Sequence, residues 1–149
     1  MSTKITGMKD FKSQMRRLGV AFDDAVDQGV FVTAGDVRTY AIKSIQEVSS
    51  GKQVNRSRQG GGTYTHTAAA KGQAPNNDTG DLVKSISAEK AGDATYHVGS
   101  NLPHASWLEF GTKKMGARPW LQPAFRAKEK NLISNISEVV ELYIDRLSK

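Results

Sequence analysis

Between residues 72 and 125 the chain carries GQAPNNDTGDLVKSI (72–86), HASWLEFGT (104–112) and ARPWLQPAF (117–125). Each block joins turn-forming residues to large apolar ones. In the first, Pro75 and the run Asn76-Asn77-Asp78-Thr79-Gly80 make a sharp turn before an apolar strand pattern that begins at Leu82. In the third, Pro119 and Pro123 fix φ on both sides of Trp120. Rigid, aromatic-bearing corners of this kind predict a presented surface. Residues 82–89 and 95–99 read as two strands joined by the turn Ala91-Gly92-Asp93. Leu82, Ile86 and Ala88 share one face of the first, Tyr96 and Val98 one face of the second. Pro103 near the start and Gly111 just past the end suit a short helix over 103–110.

Outward from this region the periodicity changes. Phe11, Met15, Leu18, Phe22, Val26, Val30, Ala34, Val37, Ala41, Ile45 and Val48 recur at spacings of three and four, one apolar stripe on a helix over 8–48. Gly29 and the Val30-Phe31-Val32-Thr33 run are the expected place for a kink or break. Such a helix would span roughly 60 Å, too long for a small core to cover, so part of it is expected to pack on another subunit. After the prolines, Phe125, Leu132, Ile136, Val139, Val140, Tyr143, Ile144 and Leu147 form a second stripe, a terminal helix over 123–148 with Pro123 in its first turn. Residues 49–77 are rich in Gly, Ser, Thr, Asn and Gln around Gly60-Gly61-Gly62, and read as a flexible loop. Thr63-Tyr64-Thr65-His66-Thr67 is strand-like and admits a loose hairpin there. The fold expected is α+β in a single domain over 1–149: a long first helix, a small antiparallel sheet with a projecting loop or hairpin and aromatic corners over 78–122, and a terminal helix.

The chain has 149 residues, 38% of them hydrophobic, and a mean hydropathy of −0.50, enough for one modest core. It contains no cysteine, which removes disulfides and thiolate metal sites. No apolar run reaches membrane-spanning length, and the polar N-terminus is unlike a signal peptide. The net charge is +6 and unevenly placed. Between Glu47 and Asp78 no acidic residue occurs, whereas Lys52, Arg56, Arg58 and Lys71 fall there. This interval reads either as solvated surface or as a basic arm facing DNA or an acidic partner.

Catalytic readings fare poorly. Asp78-Thr79-Gly80 matches the aspartic-protease tripeptide, but that chemistry needs paired buried carboxylates at the end of an apolar strand. The polar turn before Asp78 predicts a hydrated, turn-capping carboxylate instead. His66, His97 and His104 lack close ligand spacing, and the glycine triplet is followed by Thr63-Tyr64 rather than Lys and Ser/Thr. No enzyme, metal or cofactor is expected. Trp107, Phe110 and Trp120 are either core or subunit-contact aromatics. Glu109 and Arg118 flank the same loop, where a charge-assisted pair would pin its ends. With Phe22 and Val26 on the first stripe, these are the candidate interface residues.

In order and spacing the three blocks resemble the neck, or head–tail connector and tail-completion, proteins of long-tailed phages of the Hong Kong 97 type. Asp78, Thr79, Gly80, Leu82, Ser85 and Ile86 match that family's turn-strand. Ala105, Trp107, Glu109, Phe110, Gly111 and Thr112 match its aromatic-x-E-F-G-T segment. Ala117, Arg118, Pro119, Trp120, Leu121, Pro123 and Ala124 match its junction into the last helix. His104 and Trp107 stand where tyrosine is commoner. The resemblance implies a structural protein of the virion or of a prophage. It would join head to tail as a homo-oligomeric ring around the DNA channel, between neighbouring neck and tail-end proteins, with non-specific contact to packaged DNA. Six-fold symmetry is expected because tails are built on it. The alternative from another class is a small basic module that binds free DNA, which a pI near 9.6 permits.

Overall fold

The structure, a computed structural model, describes residues 8–147, and the surroundings of side chains 13 and 15–146. Phe11 and Leu147, at the outer ends of the two predicted stripes, lie outside the described side chains, and residue 148 outside the described chain. The architecture is α+β: a long first helix, two separate two-stranded antiparallel sheets and a helical C-terminal region.

Helix α1 (Met8–Gln46) runs unbroken for 39 residues. Ala25, Gly29, Thr33, Val37, Ala41 and Ile45 recur every fourth residue and are all buried. The helix is not interrupted at Gly29, where a break is one expectation, for a reason visible in the C-terminal helix α5 (Leu132–Leu147), which packs along α1. A Cβ on Gly29 would lie 2.7 Å from the Cα of Ile136, so the missing side chain lets two backbones approach instead of bending one. Thr33 completes the crossing: its hydroxyl donates to the Gly29 carbonyl (2.9 Å) and accepts from the Asn135 amide (3.0 Å).

Nearer its C-terminal end α1 forms the core. Val37, Ala41 and Ile45 pack with Leu82, Ile86, Ala105, Trp120 and Ala124. The predicted strand start at Leu82 is helical. Gly80, at φ 84°, reverses the chain, and a single turn α2 (Asp81–Ser85) precedes strand β3 (Ile86–Gly92). That strand pairs with β4 (Thr95–Ser100), with a register shift between Lys90 and Gly92 and Ala94 at positive φ in the turn. Asp27 of α1 holds this hairpin down: its carboxylate accepts from Lys90 (2.8 Å), the Ala94 amide (3.0 Å) and the Tyr96 hydroxyl (3.2 Å).

Residues 49–77, read as a loop, contain a regular hairpin of two seven-residue strands, β1 (Gly51–Ser57) and β2 (Thr63–Ala69), turning through Gly60-Gly61-Gly62. All three turn glycines have φ above 80°, which glycine alone adopts readily. The short helix expected at 103–110 is present as α3 (Pro103–Phe110). The terminal helix is divided: α4 (Leu121–Lys128) starts two residues before Pro123, and a 3₁₀ turn (Glu129–Asn131) separates it from α5.

Candidate functional site

Register decides what the hairpin offers. Lys52 lies opposite Ala68, Val54 opposite His66 and Arg56 opposite Tyr64, so these six residues share one face. That face turns toward Asp78. The Arg56 guanidinium and the Tyr64 hydroxyl both donate to the Asp78 carboxylate, and the His66 Nδ1 lies 3.4 Å away. Asp78 is thus not the hydrated turn cap expected of it: its side chain is 15% exposed and holds the hairpin to the body. The turn itself is shaped by Thr79, whose hydroxyl accepts from the Asp81 amide and donates to its carboxylate. Tyr64 ionises above the usual tyrosine range because its hydroxyl is donated to Asp78, with desolvation adding to the effect.

Asn76 anchors the same root with both ends of its amide. The oxygen accepts from the Ser49 amide (2.7 Å) and hydroxyl (2.8 Å), and the nitrogen donates to the Ser49 carbonyl (2.9 Å) and the Thr67 carbonyl (2.7 Å). The Asn77 amide donates to the Ile45 carbonyl at the end of α1. The polar run ahead of Asp78 therefore stitches α1, β2 and α2 together. A sequence signal was present: Asp78 is the first carboxylate after an acid-free interval containing four cations.

The four cations do not form one field. Arg56 is committed to Asp78, and Arg58 sits over the Tyr64 ring at 5.6 Å. The stem of Lys71 lies so close to Gly116 that a Cβ there would meet its Cγ at 2.8 Å. Lys52 is exposed near the hairpin root.

The Glu109–Arg118 pair is replaced by two separate roles. Glu109, buried on α3, accepts from the backbone amides of Trp120 (2.8 Å), Leu121 (2.9 Å) and Gln122 (2.9 Å). These are amides at the start of α4, which have no partner within the helix; the next residue, Pro123, has no amide hydrogen. A carboxylate there also meets the positive end of the helix dipole. Arg118 donates from Nε to the Ala69 carbonyl (2.8 Å), tying the corner to β2. Gly111 permits the fold-back: with φ 76°, a Cβ would stand 2.8 Å from the Ala117 amide nitrogen.

The aromatics divide. Trp120 is core at 3% exposure, with its indole N–H donated to the Ala105 carbonyl. Trp107 (56%) and Phe110 (82%) are exposed on α3. Trp107, His104, His66, Asp78, Leu82 and Met115 are among the residues lining an open cleft of about 420 Å³ between α3 and the hairpin root. At the other end of the molecule Phe22 (56%) is exposed and Val26 half-buried. Among the described residues no group of three or more His, Cys, Asp or Glu is placed to hold a metal ion, and no helix is long and apolar enough to cross a membrane.

Comparison with known proteins finds a family whose model matches the chain. The model of the HK97-gp10-like family, described as "Bacteriophage HK97-gp10, putative tail-component", matches residues 9–111, more than half of the chain. No curated protein and no solved structure matches. The matched span runs from α1 to Gly111 and contains the hairpin, the Asp78 turn and Glu109, while the amides that Glu109 caps lie beyond it. The chain belongs to the HK97-gp10-like family of bacteriophage proteins.

Proposed function

We propose that the protein is a non-catalytic component of the phage neck, a head–tail connector or tail-completion protein that assembles as a ring around the DNA channel. The carrying observation is a pair of apolar patches at separate places. One lies where Leu18 and Phe22 of α1 and Ile144 of α5 are exposed around a small apolar groove. The other is Trp107 and Phe110 on α3, by the C-terminal end of α1. From Phe22 to Ile45, which lines the second cleft, α1 extends roughly 35 Å. A closed ring needs two different patches per subunit, each binding the other on its neighbour, and exposed apolar clusters are the usual material. The exposed cations Lys52 and Arg58 would add non-specific contact with packaged DNA, weakening with salt.

The test is the double substitution Phe22→Asp and Val26→Asp, examined by sedimentation velocity and electron microscopy with neck partners present. Loss of the ring with an unchanged circular dichroism spectrum is the expected result. If wild type and variant are the same strictly monomeric species, the ring reading fails. Tight binding of free duplex DNA at moderate salt by both would favour the nucleic-acid module instead.

A further inference from the structure

The β1–β2 hairpin has two outer edges, and they are treated differently. Arg58 donates its amide to Gly62 and Ala70 donates to Ser50, so the bonded pairs of the ladder fall at even positions of β1. The amides and carbonyls of Gly51, Gln53, Asn55 and Ser57 therefore point away from β2. The sheet has only these two strands, so that edge of β1 is unpaired among the described residues. On the outer edge of β2, by contrast, Asn76 covers the Thr67 carbonyl and Arg118 the Ala69 carbonyl. The open edge carries no proline and no bulge in seven consecutive pairs; its guards are the two cations Lys52 and Arg56, which repel a like-charged strand and admit an acidic one. Its strand is already held near the turn by Asp78, through Arg56 and Tyr64, and at the root by Asn76, through Ser49, which lowers the entropic cost of adding a partner.

We propose that β1 takes an added antiparallel strand from another protein, an extended segment reading acidic-x-apolar-x-acidic. Main-chain bonds to the odd positions would supply affinity and alternate side chains specificity. Addition through those positions sets the incoming side chains closest to Lys52, Val54 and Arg56. An acid opposite Lys52 and an apolar residue opposite Val54 complement the strand, and Arg56, half-exposed and using one nitrogen for Asp78, keeps further N–H donors for a second acid. Opposite charges across strands stabilise and like charges destabilise. The same rule disfavours a second copy of this chain: β1 fully overlapped with itself sets Lys52 against Arg56. The inference applies equally to a ring component and to a free module, so it does not rest on the proposed function.

The probe is a synthetic Glu-x-Val-x-Glu peptide added to the full chain, followed by fluorescence anisotropy and amide hydrogen exchange. Binding should slow exchange at Gly51, Gln53, Asn55 and Ser57. Asn55→Pro removes an outward amide but no ladder bond, and should weaken binding at least tenfold. Thr65→Pro, the equivalent change on the β2 edge, should leave it unchanged. In the antiparallel register the last Glu faces Lys52. Lys52→Glu should therefore lose affinity for this peptide and recover it for Glu-x-Val-x-Lys, but not for Lys-x-Val-x-Glu. The proposal is overturned by absence of binding, by binding that Asn55→Pro leaves intact in a hairpin shown folded by its β2 exchange, or by slowed exchange at these amides from self-association without peptide. Duplex DNA protecting the same four amides would overturn it too.

Discussion

The α3–α4 corner and the β1–β2 hairpin are both organised by a carboxylate, yet they leave the backbone in opposite states. Glu109 gathers three amides of one helix start, and its oxygens are buried with them. Asp78 gathers side chains, Arg56 and Tyr64, and fixes the hairpin while one whole strand edge stays open. The corner holds Trp120, Pro119, Pro123 and Gly111 at positive φ, whereas the hairpin keeps its special backbone to the glycine turn. The corner residues close the molecule on itself. The hairpin is built of ordinary Ser, Thr, Asn and Gln with a few cations, and it offers groups to something else. Dense motif residues here mark internal integrity, and the plainer segment carries the free bonding capacity.

The largest test of this contrast is Glu109→Ala. Three amides at a buried helix start would lose their acceptor, at a cost of about 3 kcal/mol, read from the urea midpoint. Glu109→Gln, which keeps one acceptor oxygen, should recover part of it. Unchanged stability in the Ala variant would mean that α4 is held by packing alone.

Next is Gly29→Leu, where a side chain must enter the space of the Ile136 backbone. Overpacking at such a site costs about 2 kcal/mol, and the exchange protection of α5 should fall with it while the hairpin is unaffected. A variant as stable as wild type would show that the two helices slide apart freely.

Asp78→Asn should have a smaller global effect, about 1 kcal/mol, because its partners are near the surface. Its signature is local. Amides of β1 and β2 should exchange faster, and Tyr64 should titrate closer to the ordinary tyrosine value once the donated bond is weakened. Absence of both changes would remove Asp78 from its anchoring role and with it the comparison above.

The smallest effect concerns Asp27. The hydrogen bond from Lys90 holds its carboxyl below the ordinary value of 3.8, although desolvation opposes the shift. A carboxylate with a lowered folded-state pKa stabilises the fold above the unfolded value and loses that contribution as pH falls through the folded one. Lys90, raised above 10.5 chiefly by the same bond, contributes fully below that value and loses its part as pH rises further. Urea midpoints of wild type and Asp27→Asn should therefore differ between these limits and converge as the pH falls through the lowered folded-state value. Parallel curves throughout the acid range would show that the pair is inert.

The repeating patterns were legible in the chain itself. Helix α1, the short α3, the helical character of the C-terminal region and the strand pair around Gly92 all follow from spacing and turn residues, which are local properties, whereas the division of the last helix does not. Expectation and structure part where a local preference competes with a distant partner. Residues 49–77 look loop-like because their hairpin gains its hold from Asp78, 22 residues after Arg56 and 14 after Tyr64. Gly29 looks like a break because nothing nearby reveals that Ile136 occupies the space above it.

The sequence by itself determined the helices, the tight turns, the surplus of positive charge and the motif order that places the chain in its phage family. Which polar groups meet was decided only by the tertiary structure. Glu109 was legible as a charged residue beside a corner, and Arg118 was its evident mate by charge. The fold gave Glu109 the amides of a helix start and Arg118 a carbonyl of β2. Periodicity located α1 and its buried face from Val37 to Ile45, but nearer the N-terminus the buried positions are Ala25, Gly29 and Thr33 rather than Phe22, Val26 and Val30, because close packing against α5 selects small side chains. Hydrogen-bonding partners are set by which elements cross where, and a charged side chain close to a helix start finds three unpaired amides a better match than one solvated cation.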